Sequence, residues 1–399
     1  MLEPGAAEAS QRTQIHPGSR PLGVARLVVL VIALVVGGAL FVMWPGKVDA
    51  ELTEGLTADT EPATVESVEL APCPPPSPGS CGEARVQLDG GPDAGSSAVV
   101  ELGGSGIAPS VEPDDQLRVA RAEGPPGSQV AYNVVDFERK APLLYLALAF
   151  AALVILFGRL RGALSLLGLA LSLLIIVLFV VPAILDGHAP LLVALVGSLA
   201  VMLTTISLAH GLGPKSLAAM LGTTASLILV ALLAVAATEL TRLTGLASEE
   251  ATLLNLNVTD VSLDGLLVAG MVIGALGVLD DVTVSQASTV LALRAAAPAQ
   301  RFGELYRSAL IVGRDHVSAT VNTLVLAYVG SSLSILLLFS SGDVGFLDVV
   351  NAELVAKEVV AMLVGSIGLI CAVPMTTVLA AVLARALPAV AAPPVVHQH

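Results

Sequence analysis

Apolar stretches of about 18 residues or more recur along this chain, the length needed to cross roughly 30 Å of hydrocarbon. They run Leu22–Trp44, Pro142–Gly158, Ala163–Leu185, Pro190–Ala209, Leu217–Leu240, Leu263–Leu293, Val317–Ser340 and Val359–Ala384. Lipid offers no partner for backbone N–H and C=O groups, so such segments cross as helices. Charge agrees, since only 13% of the 399 residues are charged, against about 25% in a soluble domain. The expected fold class is an α-helical polytopic membrane protein with about eight transmembrane helices.

Lys and Arg in short loops set the orientation. With the N-terminus inside, the inner loops hold Arg159 and Arg161, then Lys215, then Arg294, Arg301, Arg307 and Arg314, and Arg385 follows the last span. The outer loops hold no base at 186–189, only Arg242 at 241–262 and only Lys357 at the last. Both termini are then cytoplasmic. The expected organisation is a disordered cytoplasmic tail at 1–20, an anchor helix at 21–45, an extracytoplasmic domain at 46–140, a seven-helix bundle at 141–386 and a cytoplasmic tail at 387–399. Arg12, Arg20 and Arg26 lead the first stretch as they would a signal peptide, and Val48-Asp49-Ala50 loosely resembles a cleavage site. The stretch is longer than a signal core and ends at Trp44, an interface residue, which predicts an uncleaved anchor.

Residues 46–140 differ in kind. Ala63–Leu70, Ala84–Leu88, Ser97–Leu102 and Gln116–Ala120 alternate apolar and polar residues between Gly, Pro and Asp clusters. That period of two predicts half-buried strands, and several in so short a segment predict a small barrel of the OB or SH3 kind. Much of the net charge of −14 falls between Glu51 and Asp136, so it describes this segment. No basic patch points to nucleic acid. Cys73 and Cys81 flank a Pro-rich loop. Outside the cytoplasm they can form a disulfide; two free thiols in a flexible loop is the rival reading. Two thiolates with no nearby His are too few for zinc.

The sixth stretch carries the costliest groups, in Gly270-Met-Val-Ile-Gly274-Ala-Leu-Gly277-Val-Leu-Asp280-Asp281-Val-Thr283-Val-Ser285-Gln286-Ala-Ser288. Charged groups within a span face a protein interior or a watery path. Helical spacing puts Gly274, Asp281, Ser285 and Ser288 on one face, and Asp280 nearer Gly277, Val284 and Ala287. Asp281 is therefore expected to work with hydroxyls and Asp280 with another helix. Gly270 and Gly274 allow either close helix approach or room for a ligand. Two adjacent carboxyl groups do not both ionise readily in low dielectric, so one is a candidate proton carrier; with the hydroxyls the pair could instead hold a cation. The rival reading is a buried hydrogen-bond knot that fixes packing.

The seventh stretch opens with Gly313-Arg314-Asp315-His316 and continues through Ser318, Asn322, Thr323 and Tyr328. Asn322 is expected to bond across to another helix. Arg314 reads either as a partner of Asp280 or Asp281 or as an inner-face anchor, and His316 as an interface residue. The eighth carries Gly365, Gly368, Cys371, Pro374, Thr376 and Thr377. Pro374 predicts a kink that either gates or merely packs, and Cys371 a small core residue. His210-Gly211 begins a tight turn. No phosphate loop, nucleophile elbow or metal-spaced His cluster is present, so neither an enzyme nor a resident cofactor is expected. An intramembrane aspartyl protease would carry its two Asp residues on different helices.

The sixth and seventh stretches resemble the YibE/F-like family of bacterial membrane proteins. The likeness lies in Gly274-Ala-Leu-Gly277 followed by Asp281, Ser285 and Ser288, and in Gly313-Arg314-Asp315 followed by Asn322-Thr323-Leu324 and Ala327-Tyr328-Val-Gly330-Ser331. His210-Gly211 and Tyr132-Asn-Val-Val-Asp136-Phe-Glu-Arg139 are similar too, so the resemblance spans about residues 60–385. Many relatives carry an apolar residue where this chain has Asp280. The resemblance implies a multi-spanning protein of a Gram-positive-type, actinobacterial plasma membrane, and no defined activity.

Two functional readings follow. The first is a transporter, exporter or channel for a small solute or ion, passive or ion-coupled, with a cation or proton at Asp281. Asp280, Ser285, Ser288, Asn322, Thr323, Gly274, Gly277, Arg314, Asp315 and Tyr328 would line its path, Gly365, Gly368 and Pro374 would gate it, and a homo-oligomer is compatible with it. The second is a scaffold or accessory subunit of an envelope complex, whose outer domain binds a partner.

Overall fold

The computed structural model describes residues 19–46, 60–72, 80–102, 111–122, 131–257, 261–342 and 345–386. Most of both expected tails, Val48 to Ala50 and Cys73 lie outside the described residues. The chain divides into two compact units, Asp49–Arg159 and the pair of segments Met1–Val48 and Leu160–His399.

The first unit is built on five strands, β1 (Thr60–Pro72), β2 (Ser80–Leu88), β3 (Ser97–Leu102), β4 (Gln116–Ala122) and β5 (Ala131–Phe137). They close a barrel in the order β1-β2-β3-β5-β4, with β4 returning to β1. All pairs are antiparallel except β3 with β5. Alternate residues fill the interior: Ala63 and Val65, then Ala84, Val86 and Leu88, then Val100 and Leu102, then Leu117 and Val119. A slip of one residue would turn that set outward, so burial fixes the register. The alternation in the sequence thus marks four of the five strands. β5 was not expected as a strand because its apolar Val134 and Val135 are adjacent. Pairing on both sides holds it instead.

Two polar ties close the barrel. Tyr132 on β5 is buried, and its hydroxyl donates to Asp93 at 2.6 Å, in the turn between β2 and β3. Arg118 on β4 donates to the Thr60 carbonyl and to Thr60 Oγ1 (2.8 Å from Nη2), and pairs with Glu138 at 3.4 Å. One guanidinium therefore holds both the start of β1 and the segment leaving β5. A helix begins there at Lys140, whose ammonium lies 3.5 Å from Glu138. Cys81 on β2 is disulfide-bonded, whereas Cys371 is a free thiol.

The second unit is helical. α1 spans Ser19–Val42. The long α2 (Lys140–Ile175), whose residues up to Arg159 belong to the first unit, has Arg159 at φ 53°, ψ −133°, outside helical space, so it is two helical pieces in sequence. A π-helical turn (Ile176–Val180) and α3 (Val181–Leu185) continue the second piece. α4 (Pro190–His210), α5 (Pro214–Thr241), α7 (Leu263–Ala296) and α11 (Glu353–Arg385) follow, with the short α6 (Glu249–Asn257) and α10 (Phe346–Asn351) between. α8 (Phe302–Ser331) and α9 (Leu333–Ser340) meet at a 60° bend. Six helical segments are long and apolar enough to cross a membrane, or seven if α8 and α9 form one span. Lys140–Leu185 counts once among them at 46 residues. A straight helix of that length would reach about 69 Å, roughly twice the hydrocarbon thickness, and the break at Arg159 falls where the second and third apolar stretches were expected to part.

The seventh stretch differs from expectation. Its helix starts at Phe302, fifteen residues before Val317, because Glu304 accepts from the Arg301 backbone N–H at 3.0 Å and caps it. It then breaks after Ser331. The other short tie is Glu353, in the first turn of α11, which accepts from the backbone N–H groups of Thr244 and Gly245, each at 2.7 Å. The core lies where α5, α7 and α11 pack together, filled by small residues such as Ala218, Ala231, Ala269, Ala275, Ala372 and Ala380.

Two outcomes test the barrel. The Asp93 bond, more than burial, pushes the Tyr132 hydroxyl up to about 12, while an unfolded tyrosine ionises near pH 10. The barrel therefore keeps the full contribution of this bond below about pH 10 and loses it as pH rises toward 12. In hydrogen exchange Tyr132→Phe costs about 1 kcal/mol at neutral pH and flattens that alkaline slope. Separately, alkylation of denatured, unreduced protein modifies Cys371 and spares Cys81.

Candidate functional site

A cleft of about 610 Å³ lies between the second piece of α2, α4 and α7. Ser165, Gly168 and Ser172 face it from α2, Ser198, Val201 and Thr205 from α4, and Ile273, Gly277, Asp280, Asp281, Val284, Ser285 and Ser288 from α7. His210 and Lys215, in the turn from α4 to α5, close one end. Both faces of α7 that carry aspartate thus reach one space.

The two aspartates sit differently in it. Asp280 is mostly buried. Its Oδ2 lies 3.4 Å from the Thr205 hydroxyl on α4, which also reaches the Val201 carbonyl at 2.9 Å. Its Oδ1 is buried with no hydrogen-bond partner, as is the hydroxyl of Ser198. Asp281 is exposed beside it, and Ser285 is half-buried. The Ser288 hydroxyl returns to the Val284 carbonyl at 2.6 Å. Asp280 therefore meets another helix, and Asp281 shares its wall with hydroxyl residues.

The glycines of α7 leave space rather than draw helices together. A Cβ on Gly270 or Gly277 would meet nothing within 4 Å, and one on Gly274 only the Tyr328 hydroxyl at 3.7 Å. Tyr328, Gly270 and Met271 line a second cavity of about 390 Å³, with Glu250, Lys357 and Glu358. The two cavities use successive stretches of α7.

Several expected members of the site lie elsewhere. Asn322 and Thr323 are exposed on α8. Thr323 bonds only to the Ala319 carbonyl of its own helix, at 3.1 Å, and Asn322 makes no cross-helix bond among the described residues. Arg314 pairs with neither Asp280 nor Asp281; it is exposed and faces a groove that includes Pro374. Asp315 is exposed too. Gly368 is a packing glycine, since a Cβ there would lie 2.2 Å from Val230, and Gly365 lies near Leu324 at 3.4 Å. The reason is rotational. α8 turns its Gly313 edge to the core, where a Cβ would fall 2.6 Å from Val373 and 2.7 Å from Gln286. That edge fixes the polar residues after it on the outer side.

A buried polar seam was not foreseen. Thr283 on α7 and Thr223 on α5 share a hydrogen bond of 2.6 Å. One turn on, Gln286 donates to Thr377 on α11 at 2.8 Å and to the Ala309 carbonyl on α8 at 3.0 Å. Thr283 and Gln286 are three residues apart on α7, so they share a face, and that spacing was the signal available in the sequence. The knot and the cleft are thus different sets of residues. Gln286→Ala strands buried groups on two helices and lowers stability by about 2–3 kcal/mol in thermal unfolding of detergent-solubilised protein. The exposed Asp281→Asn changes it by less than about 0.5 kcal/mol.

Among the described residues, no group of three or more His, Cys, Asp or Glu is placed to hold a metal ion. No curated protein and no solved structure matches the chain. A family model, YibE/F-like protein, matches residues 146–386. The match takes in every residue of the cleft and the polar seam and leaves out the barrel. Covering more than half of the chain, it makes this protein a member of the YibE/F-like family.

Proposed function

We propose that the protein is a multi-pass transporter, exporter or channel of a bacterial plasma membrane, moving a small solute or ion through the α2–α4–α7 cleft without catalysing a covalent reaction. The observation that carries this reading is Asp280 Oδ1, a buried and unpartnered carboxylate oxygen in the wall of an open cleft. Buried polar atoms in native proteins are nearly always satisfied, so a water, proton or cation is its natural partner. A carboxyl group kept only for packing would be expected to have both oxygens engaged, as Gln286 has its amide nitrogen. Asp281 beside it supplies a second acid at the open side, the division of labour a proton or cation relay uses.

In this reading the break at Arg159 separates two spans, α8 with α9 is a third, and the total is eight with both termini inside. The His210–Lys215 end of the cleft then faces the cytoplasm, and the Tyr328–Glu358 cavity faces outward. Two cavities on successive stretches of α7 fit alternating access from the two sides. The barrel would stand outside the membrane. With no nucleotide-binding loop in the sequence, movement is passive or coupled to an ion.

A scaffold role has one observation in its favour. Glu69, Glu83 and Glu101 stand opposite one another across β1, β2 and β3. Like charges so aligned destabilise a sheet, and a basic partner on that face would relieve them.

Flux of protons and monovalent cations in liposomes separates the readings. Asp280→Asn and Asp281→Asn each lower flux tenfold or more in protein that remains folded, and Gly277→Leu, which fills the cleft, does the same. Wild-type flux in both aspartate variants rules out the relay.

A further inference from the structure

α8 and α11 form a groove of about 480 Å³ that shares no residue with the aspartate cleft. Its walls are apolar, with Val317 and Val321 from α8 and Ile370 and Val373 from α11. Only two polar side chains enter it, Arg314 and Ser318, one turn apart on α8. Neither is engaged. Among the described residues Arg314 makes no ion pair or hydrogen bond, and Ser318 makes no hydrogen bond. Thr320 and Thr323, by contrast, return theirs to the carbonyls of His316 and Ala319 at 2.8 and 3.1 Å. No carboxylate lines the groove.

We infer that this groove binds an anionic phospholipid, with the phosphate on Arg314 and Ser318 and an acyl chain along Val317, Val321, Ile370 and Val373. The charge selects the ligand. A guanidinium presents a planar fork of donors that matches a phosphate, and an adjacent hydroxyl adds a further donor. The shape agrees, because the groove offers one cationic spot and a long apolar strip, the outline of a single amphiphile. Position agrees as well: α8 runs from the base-rich loop of Arg294, Arg301 and Arg307, so Arg314 lies toward the cytoplasmic leaflet, where basic sites between spans collect anionic headgroups. A free phosphate would leave the strip of valines and isoleucine uncovered. The inference rests on the membrane orientation proposed above, not on transport.

Native mass spectrometry of the full chain, released from detergent carrying equal phosphatidylglycerol and phosphatidylcholine, tests it. Wild type retains phosphatidylglycerol in preference. Arg314→Gln lowers that retention about tenfold, the loss of one charge-assisted contact, Arg314→Lys keeps part of it, and Ile370→Trp, at an exposed groove residue, removes it. Arg307→Gln, outside the groove, leaves it unchanged. Each variant is compared at an equal folded fraction by thermal unfolding. The inference falls if Arg314→Gln retains as much phosphatidylglycerol as wild type, if the two lipids are retained equally, or if Arg314 is needed for a lipid-free dimer. Protein that washes off membranes at alkaline pH fails the membrane reading itself. Loss of flux in Asp281→Asn with lipid retention intact leaves the groove standing.

Discussion

Lipid cannot hydrogen-bond, and the helical unit is arranged around that constraint. Where α5, α7 and α11 meet, the side chains are mostly Ala, Val and Gly, which lets backbones come close. Into that packing the chain inserts few polar groups, and some of them pair across helices: Thr223 with Thr283, and Gln286 with Thr377 and the Ala309 carbonyl. Close approach and polar pairing depend on each other. Gly313 must lack a Cβ for α8 to reach Gln286, and without α8 the Gln286 amide would lose one of its two acceptors. The seam therefore fixes the rotation of α7. That rotation decides that Asp280 and Asp281 face the α2–α4 side.

How far the sequence reveals this varies by element. Helices α4, α5, α7 and α11 begin and end within a few residues of their apolar stretches, because span length is set by the bilayer and not by neighbours. The barrel was legible for the strands whose apolar residues alternate, and not for β5, whose pattern is weak. α8 began earlier than expected because its first half is amphipathic and its start is a cap, not a hydropathy edge.

The site was legible on α7 alone. Asp280 and Asp281 are costly wherever they point, so no partner knowledge is needed to single them out. Asn322, Thr323 and Arg314 are different. Their roles depend on which side of α8 meets α7 and α11, and a helix polar over much of its circumference does not declare its buried edge. The edge is set by Gly313, which in the sequence is one more glycine before a charged pair. Thr283 and Gln286 were in view within the same stretch as the aspartates and were overshadowed by them.

The separation of the seam from the cleft bears on what the aspartates do. If polarity in α7 served packing alone, Asp280 would be expected in the seam, facing α5 or α11, where Thr223 and Thr377 already supply hydroxyls. It lies instead about 60° round the helix from Thr283 and about 120° from Gln286, with one oxygen toward Thr205 at 3.4 Å and the other buried and unpaired. Next to it, Gly277 leaves open a volume that almost any other residue would fill. Retaining an unpaired carboxylate oxygen beside open space costs stability. The seam already ties these helices together, so the role proposed for the cleft supplies a reason for that cost.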